Sequence, residues 1–127
     1  MTKQILVIDD DAAVRKAFQL AFEGSAYDLS SAESGRLGIH CVQEQRFDLI
    51  FLDLRMPGLD GVQTLREIRR LGCDAPVYIV TSFHAEFLGE LRQLASEGME
   101  FEVLSKPVEF PQLLRVAEAA LDGRVVH

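Results

Sequence analysis

Five short runs recur along the chain at strand-like length: Ile5-Leu6-Val7-Ile8, Tyr27 to Ser31, Leu49-Ile50-Phe51-Leu52, Val77-Tyr78-Ile79-Val80, and Phe101 to Leu104. Three of them are apolar without alternation, the pattern of strands covered on both faces of a parallel sheet. The second, Tyr27-Asp28-Leu29-Ser30-Ser31, is polar and alternating, which suits an edge strand. The segments between the runs repeat at helical spacing instead. Val14, Ala17, Phe18, Ala21 and Phe22 share a face of the first, and Val62, Leu65 and Ile68 of the third. Phe87, Leu88, Leu91, Leu94 and Ala95 mark the fourth, and Leu113, Leu114, Ala117, Ala120 and Leu121 the last. The second helix, around Arg36 to Gln43, has the faintest pattern, with two glycines nearby. Asp60 is placed to cap the third helix, and Pro111 suits the first turn of the fifth.

Strict alternation of strand and helix predicts an α/β fold, a five-stranded parallel sheet with five helices on its two faces and right-handed crossovers. With the second strand at an edge, the doubly wound order is 2-1-3-4-5. A ligand site is then expected beyond the carboxyl ends of the strands, at the switch between strands 1 and 3. The polar residues stand there. Asp9, Asp10 and Asp11 follow strand 1, Asp53 ends strand 3, Thr81 ends strand 4, and Lys106 follows strand 5. Carboxylates gathered in one crevice repel each other, and burying them unpaired is costly. A hard cation relieves that repulsion. Oxygen donors without Cys or His favour Mg²⁺ or a similar ion, which keeps several waters and takes only one or two protein carboxylates, leaving room for a phosphate.

Composition narrows the class. The 127 residues, 48% hydrophobic and 26% charged, suit one domain with a single core. No apolar run approaches the ~20 residues that cross a bilayer. The start, Met-Thr-Lys-Gln and then a short apolar stretch and three aspartates, does not read as a secretory signal, so a cytoplasmic location is expected, away from membranes. A formal net charge of −7 argues against direct binding of nucleic acid. Arg66, Arg69 and Arg70 cluster on one helix, where a solvated face is the expectation. Cys41 and Cys73 lack metal-ligand spacing and are expected to be free thiols. His40, His84 and His127 are too scattered in sequence to suggest a zinc site. The tail after Leu121 reads either as a free end or as the start of a linker.

Taken in order, these motifs resemble the receiver domain of two-component response regulators. The signatures are Ile-Leu-Val-Ile-Asp-Asp-Asp at 5–11, Asp-Leu-Ile-Phe-Leu-Asp-Leu-Arg-Met-Pro-Gly-Leu-Asp-Gly at 48–61, Val-Thr-Ser at 80–82 and Ser-Lys-Pro at 105–107. Each is weak alone; together, each at a strand end, they are specific. The resemblance covers a core of about 3–121 within a single domain, 1–127, and implies a flavodoxin-like fold and a phosphorylation switch. Asp53 matches the phosphoacceptor, charged by a sensor histidine kinase or a histidine phosphotransfer protein. Asp10 matches the direct ligand of Mg²⁺ (or Mn²⁺), Asp9 the acid acting mainly through metal-bound water, and the Arg55 backbone carbonyl a third protein contact. Lys106 would neutralise charge on the phosphoryl oxygens and Thr81 would hydrogen-bond one of them. Ser82 leaves room for the phosphate, and the Met56-Pro57-Gly58 turn shapes the loop after the acceptor. The Lys106-Pro107 bond matches the family's cis peptide. The signal would pass to a downstream partner or to an output domain outside this chain.

Each residue also has a plainer reading. Acids at strand ends often cap the next helix, which is the expectation for Asp11 and Asp60. Thr81 alone would be an ordinary strand end, Lys106 a surface lysine and His84 a loop residue. Three features depart from the family pattern. Val103 stands where an aromatic usually reports phosphorylation, with Phe101 on the same side of the strand; Val103 reads equally as a core residue. The stretch from Thr81 to Lys106 looks a few residues long, so an extended fourth helix or following loop is expected. Arg55 and Phe83 are expected to flank the phosphate, Arg55 pairing with its oxygens and Phe83 shielding it from water, which gives slow self-dephosphorylation. Movement is then expected in the Thr81 to Phe87 loop and the fourth helix, with a partner face on helix 4, strand 5 and helix 5. Two other classes compete. An aspartyl-nucleophile phosphatase needs a second acid two residues after the nucleophile, where this chain has Arg55. A purely structural relative would have lost the acceptor or the acid pair, and both are present.

Overall fold

A computed structural model describes residues 2–82 and 85–122. Strands β1 (Gln4–Ile8), β2 (Asp28–Ala32), β3 (Leu49–Leu52), β4 (Val77–Thr81) and β5 (Glu102–Ser105) alternate with helices α1 (Ala12–Phe22), α2 (Gly35–Glu44), α3 (Gly61–Arg70), α4 (Leu88–Ser96) and α5 (Phe110–Asp122). The sheet is parallel in the order β2-β1-β3-β4-β5, as the alternation predicts.

Alternate residues of the three central strands feed two separate cores. Leu6, Ile8, Ile50, Leu52 and Ile79 pack with Val62, Leu65 and Ile68 of α3 and Leu91 and Leu94 of α4. Ile5, Val7, Leu49, Phe51 and Val80 pack with Phe18, Ala21 and Phe22 of α1 and Leu113 and Ala117 of α5. Both faces of the central strands are covered, so those strands carry no polar alternation. Full burial of one such side chain stabilises by ~1.5–3 kcal/mol.

The faint pattern of α2 has a packing cause. A Cβ on Gly38 would lie 2.4 Å from the Ile8 side chain, so the glycine that blurs the periodicity lets the helix lie close on the sheet. Gly35 begins the helix, and Ser34 caps it, its side chain accepting from the Leu37 N–H. Asp60 caps α3 in a reciprocal box with Gln63, as expected.

Four expectations need correction. Val103 is 37% exposed and belongs to neither core, because β5 is an edge strand; Phe101 lies outside the strand and packs partly against the α3–α4 core. The buried stripe of α4 is narrower than its sequence pattern. Only Leu91 and Leu94 are buried, Leu88 and Ala95 are exposed, and Phe87 ends a preceding 3₁₀ turn, Ala85–Phe87. The fourth helix is not extended; at nine residues it is the shortest α-helix described, stopped where Gly98 takes a φ of +85°. The arginines of α3 are more than a solvated face. Arg66 pairs with Glu97, Arg70 with Glu67, and Arg69 donates to the carbonyls of Cys73, Ala75 and Glu100, at 3.0, 2.7 and 3.2 Å. These carbonyls lie in loops outside strand and helix, and a five-donor guanidinium bonds all three.

Candidate functional site

The strand ends converge through their backbone. The Asp9 N–H donates to the Ala32 carbonyl, the Asp53 N–H to the Ile8 carbonyl at 2.9 Å, and the Lys106 N–H to the Thr81 carbonyl at 3.0 Å. These extensions of the ladders bring the residues singled out by sequence into one cleft of about 770 Å³, lined by Asp9, Asp10, Asp53, Arg55, Thr81 and Lys106 among others. Asp11 and Ser82 also border it. Asp9, Asp53 and Thr81 are buried and Asp10 is exposed.

The carboxylates of Asp9, Asp10 and Asp53 offer oxygens within 4.8 Å of one another. Asp11 stands outside this group; its side chain accepts from the Ala13 N–H at 2.9 Å and caps α1, as its plainer reading has it. Asp9 is fixed in place. Its Oδ1 accepts from the Asp11 N–H at 2.9 Å, and its carbonyl accepts from Arg15 Nη1 at 2.8 Å. Lys106 Nζ lies 3.0 Å from Asp9 Oδ2 and 3.5 Å from Asp53 Oδ1. The lysine therefore sits nearer Asp9 than Asp53. The Lys106-Pro107 bond is cis.

The electrostatics follow from this crowding. Burial, then the charge of Asp9 and, less strongly, that of Asp10, push the Asp53 carboxyl up to about 6, with Lys106 opposing them. Burial works against the charge on Lys106, but its hydrogen bond to Asp9 and the charges of Asp9 and Asp53 outweigh it and leave the ammonium pKa raised. Three clustered carboxylates, two of them buried, balanced by one lysine leave a net negative site. Their all-oxygen donors fit Mg²⁺ or Mn²⁺, by charge and by hardness.

Two contributors escape sequence reasoning. A Cβ on Gly61 would lie 2.3 Å from the Asp53 carbonyl oxygen and 2.7 Å from Leu54 Cα, so the start of α3 can press against the Asp53 backbone only as glycine. Glu86 holds the Arg55 guanidinium, both carboxylate oxygens lying 2.9 Å from Nη2. The expectation that this side chain is open to a phosphoryl group thus meets a competitor. The Met56-Pro57-Gly58 turn was legible in the sequence, but nothing local showed that Gly61 faces a backbone, and no local pattern links positions 55 and 86. Phe83, His84 and His127 lie outside the described residues.

Comparison with known proteins follows the same lines. The family model described as the response regulator receiver domain matches residues 5–118. Transcriptional regulatory protein ZraR of Escherichia coli (strain K12) is 37% identical over 117 residues, 92% of this chain and 26% of that protein. Response regulator MprA of Mycolicibacterium vanbaalenii is 35% identical over 121 residues, 95% of this chain and 51% of that protein. The chain thus spans between about a quarter and a half of these relatives. Among solved structures, a CheY-like receiver domain protein from Methanospirillum hungatei superposes with a TM-score of 0.86 at 24% identity, over 97% of this chain and 96% of that one. A receiver domain protein from Clostridium thermocellum gives 0.80 at 28% identity, over 95% of each chain.

Proposed function

Because the chain belongs to the response regulator receiver domains, a family matched over residues 5–118, we propose that it is a signalling switch that accepts a phosphoryl group on Asp53. The observation that carries this reading is the placement of Lys106 Nζ between Asp9 and Asp53, at 3.0 and 3.5 Å, beside three carboxylates in one cleft. A carboxylate oxygen of Asp53 attacks the phosphorus of a phosphohistidine on a sensor kinase or histidine phosphotransfer protein. The P–O bond forms as the P–N bond breaks, and the electron pair leaves with the imidazole. Mg²⁺ or Mn²⁺, held by Asp9, Asp10, Asp53 and the Arg55 carbonyl, supplies positive charge to the phosphoryl oxygens when bound. Lys106 adds its own charge to those oxygens, and the Thr81 hydroxyl donates a hydrogen bond to one of them. Ser82, small and exposed, leaves the entrance open.

The chain is a regulatory phosphoacceptor that promotes only its own phosphorylation and dephosphorylation. It works in the cytoplasm and hands its signal to a downstream partner or an output domain. The names of its relatives as transcriptional regulators support an output in gene control. The face of α4, β5 and α5 receives the partner, and the exposure of Val103 on β5 supports that choice.

Incubation with acetyl phosphate and Mg²⁺ tests the reading. Intact mass should show one added phosphoryl group that is lost in base. Labelling of Asp53→Asn to the same extent as the unaltered chain would refute the assignment.

A further inference from the structure

Arg55 stands between two anions, and we infer that it exchanges between them: Glu86 in the free protein, a phosphoryl oxygen on Asp53 once the acceptor is charged. Glu86 is thereby a positioning residue that sets how tightly the site holds a phosphoryl group and links that event to the leading end of α4. The inference rests on the phosphoacceptor reading above.

Arg55 lines the cleft with Asp53, Thr81 and Lys106. Its Nη2 lies 2.9 Å from each carboxylate oxygen of Glu86. Glu86 does not border the cleft; it sits in the 3₁₀ turn Ala85–Phe87 that runs directly into α4. The Arg55 and Glu86 side chains are 67% and 42% exposed, so their pair is weak and easily surrendered. A phosphoryl group offers more negative charge and more acceptor oxygens than one carboxylate, and guanidinium binds it well. At the other end of α4, Arg66 pairs with Glu97 far from the acceptor in sequence and outside the cleft lining. Exchange at Arg55 therefore releases one end of the helix while the other stays tied to α3.

Competition has a required sign. If Arg55 must leave Glu86 to meet the phosphoryl group, removing Glu86 tightens binding of that group, because the free state loses a stabilising contact. Deleting any acid near an anionic ligand also favours the anion by simple charge, so the dependence on Arg55 is the discriminating feature.

The test is calorimetric titration of the whole chain with beryllofluoride in the presence of Mg²⁺. Glu86→Gln should tighten binding about two- to fivefold, the range a surface ion pair can supply. In an Arg55→Ala background the same substitution should produce less than half of that effect on a logarithmic scale. Glu97→Gln, which breaks the pair at the far end of α4, should leave affinity unchanged. Unchanged or weaker binding by Glu86→Gln, or equal tightening with and without Arg55, would overturn the exchange. Failure of the unaltered chain to bind beryllofluoride would instead overturn the phosphoacceptor reading, and the exchange with it.

Discussion

Burial beside Asp9 and Asp10 raises the Asp53 carboxyl to about 6, above the ordinary carboxylate range. The folded chain thus holds a proton on Asp53 at a pH where the unfolded chain has released it. Stability tied to this group is fully present below about pH 4 and is lost as pH rises toward 6. Without metal, Asp53→Asn should therefore gain stability over the unaltered chain progressively between pH 4 and 6. Urea midpoints of the two proteins across that range check this, and a constant difference would contradict it. Saturating Mg²⁺ favours the ionised carboxylate and should flatten the dependence. A residue destabilised in the resting state is thereby poised to gain from a cation and then a phosphoryl group.

Among the elements, α3 does most to hold the acceptor. Its first residue, Gly61, donates its N–H to the Leu54 carbonyl at 2.8 Å, and its missing side chain admits the Asp53 carbonyl. Gly61→Ala must push backbone aside, because the atoms it meets are not the ends of flexible side chains. A loss of ~1–3 kcal/mol in chemical denaturation is expected, together with slower acetyl phosphate labelling, since the acceptor moves with the loop. The other end of the same helix carries Arg69, whose guanidinium bonds three loop carbonyls. Arg69→Ala should cost ~1–3 kcal/mol without touching the site, so labelling per folded molecule should stay unchanged. Comparing the two variants separates damage to the fold from damage to the acceptor.

For the molecule as a whole, three acids from two strand ends come together only in the folded chain, so a metal bound there would favour the folded state. Unfolding scatters Asp9 and Asp10 from Asp53, so Mg²⁺ should stabilise by about 2.7 kcal/mol at a hundredfold excess over its Kd. The melting temperature should rise with Mg²⁺ accordingly. Asp10→Asn should lose most of that rise while being no less stable than the unaltered chain without metal, because it removes one of the repelling charges. An equal rise in both proteins would take Asp10 out of the site. Among the described residues, no helix is long and apolar enough to cross a membrane.

Sequence alone determined the strand order and the gathering of the polar strand-end residues in one cleft, for a physical reason. Parallel strands covered on both faces read as unbroken apolar runs, as in Leu49 to Leu52, and the polar residues that end them have one crevice to enter. Asp9, Asp10, Asp53, Thr81 and Lys106 were visible because each stands at or just beyond the carboxyl end of a strand-like run, and Asp11 and Asp60 because caps are local in sequence. Tertiary structure decided what depends on neighbours distant in the chain. The periodicity of the fourth helix put Leu88 and Ala95 on one face with Leu91 and Leu94, yet in α4 only Leu91 and Leu94 are buried. Val103 could have been core even on an edge strand, and only the packed structure leaves it 37% exposed. Gly38 weakened a helical pattern because its reason is Ile8 in another element, and Gly61 matters through the Asp53 backbone. Arg55 looked free for phosphate because Glu86, 31 positions away, reaches it only once α4 is docked. Periodicity reports the environment a segment needs, whereas pairing between distant side chains exists only after the elements have packed.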